Sequence, residues 1–214
     1  MQNNLSDVEQ RVRRYWFADG LGELIGGGMF ILMGIYFGLQ EYLGQNSMLG
    51  GILQVSLVLV LVGGIYISRR LINALKARVT YPRTGYVEYQ VDEHNLRSRR
   101  IWVAVLAFAI SALTMVFVNL FQFFDAIVAV TGVAVGLILV TLRAKASGLA
   151  RFYVLGAVSI VLGLALSISR LPDGYSLGSF YGLMGLSFLL SGGLTLQRYL
   201  AENPLPGDAE GRNG

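Results

Sequence analysis

Two carboxylates four residues apart, Asp19 and Glu23, stand in the stretch Ala18-Asp19-Gly20-Leu21-Gly22-Glu23-Leu24, where a charged N-terminal segment gives way to an apolar one. On a helix that spacing places both acids on one face. Glu23 then lies about a turn inside the apolar boundary, where an ionisable side chain is costly and faces either a cavity or a partner. The chemistry open to the pair is cation or proton binding at the mouth of a membrane bundle, or general-base catalysis on a lipid at the interface. The structural alternative has Asp19 capping the helix that follows and Glu23 paired with a loop arginine such as Arg69, Arg70 or Arg151. A general base needs a partner within reach of its substrate, and no such partner accompanies these acids in the sequence.

The second cluster is central. Val79-Thr80-Tyr81-Pro82-Arg83-Thr84-Gly85-Tyr86-Val87-Glu88-Tyr89 sits in the longest polar connection of the chain. Pro82 followed by Gly85 suits a turn, and the β-branched and aromatic residues around it alternate roughly, which predicts a short β-hairpin-like loop. Tyr81, Arg83, Tyr86 and Tyr89 would then form a patch for a phosphate or an acidic partner, or an aromatic and basic anchor among lipid headgroups. The single histidine, His94, has no cysteine and no second histidine beside it, so the sequence offers no metal set and implies no cofactor. Without cysteine, disulfides, thiol catalysis and iron–sulfur chemistry are excluded. Phosphate-binding glycine loops, zinc-protease motifs and nucleophile elbows are also missing from the sequence.

The elements that must position these residues follow from hydropathy. Of 214 residues, 54% are hydrophobic and only 14% charged, well below the quarter usual in soluble domains. Six apolar stretches of roughly 18 to 22 residues, each long enough to cross a hydrocarbon core, run at about 21–39, 50–68, 101–120, 126–142, 152–169 and 177–197. The expected fold is all-α: a six-transmembrane-helix bundle of three helical hairpins over residues 21–198. Residues 1–20 precede it as an interfacial amphipathic helix, opened by the capping box Ser6-x-x-Glu9 and anchored by Trp16. The loop 69–100 interrupts the bundle, and a disordered tail, 199–214, follows it. The N-terminus does not read as a cleavable signal peptide. Sixteen of the 17 Lys and Arg residues fall on one side of this arrangement, Arg170 being the exception. The positive-inside rule therefore predicts a plasma-membrane protein with both termini in the cytoplasm.

The net charge of +4 accordingly marks a membrane face rather than nucleic-acid binding. The implied partners are the lipid bilayer and either a second copy or another membrane protein. Such contacts suit a chain with 27 glycines and small-xxx-small pairs such as Gly22/Gly26, Gly34/Gly38, Gly132/Gly136 and Gly178/Gly182. A gap-free shift of 129 residues also matches Gly27 with Gly156 and Gly34 with Gly163, as a parallel repeat of the first and third hairpins would require.

Arg14-Tyr15-Trp16 followed by Asp19-Gly20-Leu21 and Glu23, together with Thr80-Tyr81-Pro82-Arg83-Thr84-Gly85-Tyr86-Val87, resembles a group of uncharacterised prokaryotic multi-pass membrane proteins. The resemblance is strongest over these two segments and implies a multi-pass fold without implying an activity. Three functions are then open. The first is a non-enzymatic sensing, scaffolding or assembly component acting through the central loop. The second is a small-solute transporter or channel without a charged group at mid-membrane depth. The third is an interfacial lipid enzyme using Asp19 or Glu23.

Overall fold

Helices account for every regular element among the described residues of the computed structural model, which are 17–44, 47–84, 126–144, 147–169 and 171–204. The interfacial helix up to residue 16, the expected span at 101–120, the loop from Gly85 to Arg100 with Tyr86, Tyr89 and His94, and the tail after Pro204 lie outside the described residues.

Helix α1 spans Leu21–Leu43 and α2 spans Met48–Val79. Between them Gly44 takes φ +71, and Ser47 caps α2 by accepting the Gly50 N–H. The short α3, Tyr81–Thr84, follows directly. Helix α4, Ala126–Ile138, continues as a π-helical segment, Leu139–Ala144, and the chain turns at Gly148 with φ +66. Helix α5 covers Ala150–Ile168 and α6 covers Asp173–Glu202.

Three of these, α1, α5 and α6, are long and apolar enough to cross a membrane, and α4 is a shorter apolar helix. Within their apolar windows only 33% of α1 and 28% each of α5 and α6 are buried. Most of their apolar surface therefore faces outward among the described residues, including Leu32, Ile35, Val161, Leu186 and Leu190. Surface of this extent suits hydrocarbon rather than water.

The structure departs from the sequence reading at the central loop. Helix α2 does not stop near residue 68 but runs on through Arg69 and Arg70 to Val79, and α3 continues the helical path to Thr84. The first arm of the expected hairpin, 79–84, is therefore helical, and its second arm lies outside the described residues. Contacts with the start of α1 hold the extension in place. Arg69 and Arg70, exposed at its surface, continue the helix without a breaker.

Helix α1 packs chiefly on α6, and α4 on α5. The α1–α6 seam runs antiparallel on glycines spaced by seven, Gly20, Gly27 and Gly34 facing Gly192, Gly185 and Gly178. A Cβ at Gly27 would lie 2.9 Å from the Gly185 carbonyl, and one at Gly34 would lie 2.8 Å from that of Gly178. Between these notches Phe30 packs on Phe188 with ring centroids 5.3 Å apart, and Phe37 stacks on Tyr181 at 5.5 Å. The α4–α5 crossing repeats the device with Gly132 against Gly163 and Gly136 against Gly156, and the Ser159 hydroxyl donates to the Gly132 carbonyl at 2.8 Å. Of the four-residue pairs read from sequence, Gly132/Gly136 packs at this crossing, and Gly34 and Gly178 each face the partner helix in the α1–α6 seam, whereas a Cβ at Gly22, Gly26, Gly38 or Gly182 would meet open space. Phe152, Leu155, Met184 and Phe188 join the two halves in one apolar core that also includes Leu139 and Ala144.

Candidate functional site

The chain enters α1 through a sharp turn at Gly20, with φ +69 and ψ −2. A side chain would be unwelcome there on two counts. The left-handed conformation strains other residues, and a Cβ would fall 2.5 Å from the Gly192 carbonyl and 2.9 Å from Thr195 Cβ. The Gly20 carbonyl accepts from the Glu23 and Leu24 amides, which starts the helix. Asp19 thus lies before the turn and Glu23 after it. The shared helical face inferred from their spacing does not form, because the helix begins only at Leu21. The two carboxylates leave the turn in different directions.

Asp19 turns to α2. Its side chain is 1% exposed and meets Lys76 Nζ at 3.1 Å, itself 3% exposed. The Thr80 hydroxyl donates to the same oxygen, Oδ2, at 3.0 Å. The other oxygen, Oδ1, accepts the Leu21 N–H at 3.2 Å, so Asp19 also covers the first free amide of α1. Lys76 and Thr80 stand four apart on one face of the α2 extension, and one carboxylate takes both.

Glu23 turns to α5 and α6. Its Oε1 lies 2.7 Å from Arg151 Nε, and its Oε2 accepts the Ser191 hydroxyl at 2.7 Å. The Arg151 contact is an ion pair rather than an aligned hydrogen bond, since the Nε–H does not point along it. Arg151 also donates from Nη1 to the Thr195 hydroxyl at 3.0 Å and from Nη2 to the Phe17 carbonyl. Its guanidinium lies over the Phe152 ring, and that of Arg143 over the Phe17 ring, with Phe17 edge-on to Phe152. One arginine so ties the entry of α1 to α5 and α6. Arg69 and Arg70, the other partners considered for Glu23, are exposed on α2.

Every carboxylate oxygen of both acids therefore faces a cation or a donor within the bundle. The arrangement fixes helices together and leaves neither acid open to a substrate, because a base in this position would have to break an ion pair to take a proton. No cluster of three metal-ligating side chains occurs among the described residues. Beside Arg151 an open groove of ≈ 550 Å³ is lined by Ser191, Thr195, Arg198, Glu202 and Asn203, among others. At the opposite end of the bundle a second groove, ≈ 390 Å³, lies where Glu41 Oε2 accepts the Gly174 N–H of the first α6 turn at 3.3 Å.

In the central loop, Tyr81 and Arg83 fall on α3, where Arg83 Nη1 donates back to the Val79 carbonyl at 3.0 Å. Tyr86 and Tyr89 lie outside the described residues, so the aromatic and basic patch is represented by only two of its four members. Sequence reasoning missed Lys76 and Thr80 as partners of Asp19. The signal available was their four-residue spacing, which carries meaning only once α2 is known to continue past Arg70. Ser191 and Thr195 are mild polar residues of the last apolar stretch, and nothing in their spacing marks them as partners of Glu23 and Arg151. Comparison of the chain with protein families, curated proteins and solved structures finds no match.

Proposed function

We propose that this chain is a six-span protein of the plasma membrane, built of three hairpins with both termini cytoplasmic, and that it is a non-enzymatic sensing, scaffolding or assembly component working through its central loop. The observation that carries this reading is the Asp19–Lys76–Thr80 clamp, which fixes the point where the loop leaves the bundle. A buried ion pair holds the described start of this connection, through Thr80, against the entry of α1, which lowers the ordering cost of recognition there. The same contacts occupy the acids on which an interfacial enzyme would have to rely. The clamp also joins the two segments that resemble the uncharacterised multi-pass group, since Asp19 belongs to one and Thr80 to the other. We take that resemblance as support for treating them as one functional unit.

The test is photocrosslinking in cells from a reactive amino acid placed at Pro82, which is exposed on α3. A loop that recognises a partner gives one discrete adduct with another membrane protein. Deleting residues 79–89 from an affinity-tagged chain abolishes co-purification of the partner so identified while the protein still inserts. Absence of any discrete adduct, combined with solute flux in proteoliposomes that changes in Glu23→Gln, would replace this reading with transport.

A further inference from the structure

The groove beside Arg151 has a composition that the ion-pair network does not use up. It is lined by two arginines, Arg151 and Arg198, by Glu202 and Asn203, and by Ser191 and Thr195, whose hydroxyls already donate to Glu23 and to the Ser191 carbonyl. A guanidinium has five N–H donors, and Arg151 uses two of them, from Nη1 to Thr195 and from Nη2 to Phe17, while its Nε meets Glu23 as an ion pair without an aligned hydrogen bond. Its side chain keeps 22% exposure. Arg198 is exposed and makes no ion pair among the described residues, although Glu202 lies one turn further along the same helix face. The groove thus holds a cation and an anion unjoined at a single mouth.

From this mouth an apolar track runs along α6. Leu194, Leu190, Leu186 and Leu183 follow at intervals of four, four and three on one face, each among the exposed hydrophobic side chains. A phosphate suits paired guanidiniums, an ammonium suits a carboxylate, and an acyl chain suits a leucine track. With Arg151 already balanced by Glu23, the groove has no large excess of positive charge and does not favour a polyanion.

We propose that this groove binds the headgroup of an amine-bearing phospholipid, its phosphate between Arg151 and Arg198, its amine against Glu202, and a chain along the leucines of α6. The site goes beyond the loop reading and is separable from it, because deletion of 79–89 removes none of its residues.

The experiment is native mass spectrometry of the full-length protein, stripped of lipid in detergent and offered phosphatidylethanolamine and phosphatidylglycerol. The wild type is expected to retain the ethanolamine lipid about fivefold over the glycerol lipid. Arg198→Gln should lower that retention about tenfold, the size of one charge-assisted contact, and Arg198→Lys should restore part of it. Glu202→Gln should bring the two lipids level. An unchanged thermal melt of these surface variants excludes misfolding. Wild-type retention in Arg198→Gln, or equal binding of both lipids by the wild type, would overturn the proposal. So would displacement of bound lipid by glycerophosphoethanolamine at equal concentration, which would make the ligand a soluble phosphate ester instead.

Discussion

Asp19 and Glu23 are near neighbours in sequence and almost equally buried, yet they join different parts of the bundle. Asp19 faces a lysine in a sealed contact, 3% and 1% exposed on the two sides, and its work is to hold the α2 extension and the root of the central loop. Glu23 faces an arginine that remains 22% exposed and borders an open groove. Lysine places a compact charge where a single oxygen is to be met, whereas arginine spreads several donors across two helices and a loop carbonyl. The first pair is a local lock. The second is a junction with one side open to ligands. What divides them is the turn at Gly20, which sends one carboxylate each way.

Removing that division should have the largest effect. Gly20→Val combines a strained φ with an overlap against the Gly192 carbonyl, and α1 cannot then approach α6. We expect a loss of more than about 3 kcal/mol, seen as aggregation in place of a single size-exclusion peak after detergent extraction. A sharp, stable peak would mean that the turn tolerates rearrangement and that the acids are not held apart by it.

Breaking the sealed pair comes next. Lys76→Met leaves Asp19 buried without its cation and should cost about 3–5 kcal/mol in reversible unfolding. The double variant Asp19→Asn/Lys76→Met should recover much of that loss, since it removes both charges together. If the single and double variants were equally destabilised, the ion pair would not be the element that holds α2.

The open pair should respond less. In Arg151→Gln the Glu23 carboxylate keeps the Ser191 hydroxyl, and the shorter, neutral side chain stands between it and the groove that Arg151 and Ser191 line. We expect about 1.5–3 kcal/mol, smaller than for Lys76→Met measured in the same way. A larger loss would reverse the comparison and make the α5–α6 junction the dominant lock.

How much of this could be read from the chain follows from the range of each interaction. The apolar stretches and their basic ends are local in sequence, and α1, α5 and α6 lie where hydropathy put spans. A pairing of Glu23 with Arg151 was among the options because an acid inside an apolar run demands a cation and few were near a helix end. The shared face of Asp19 and Glu23 was wrong because four-residue spacing has meaning only inside one helix, and a single left-handed glycine ended that premise. Lys76 was hidden by the assumption that Arg69-Arg70 closes a helix, whereas charge stops an apolar run without stopping helical hydrogen bonding. The seven-residue glycine ladder between α1 and α6 was missed for a different reason. A search for spacing of four finds close approach only one turn at a time, and the partner ladder on α6 lies some 150 residues away in sequence.

That ladder supplies the finest test of the comparison, because α1 carries glycines of both kinds close to the two acids. Gly27 faces α6, and a methyl group there would press on the Gly185 carbonyl and on Leu189, both within 3.0 Å. Gly22, one residue before Glu23, has nothing within 4 Å. Gly27→Ala should therefore destabilise the bundle by about 1–2 kcal/mol, since backbone lines the approach and cannot yield as a side-chain tip would. Gly22→Ala should be neutral or stabilising by up to about 1 kcal/mol, the gain in helix propensity, read from the same unfolding curves. If both substitutions had the same sign, the α1–α6 contact would not be set by its glycines. The close approach that brings Ser191 to Glu23 would then have to come from the ion pairs themselves.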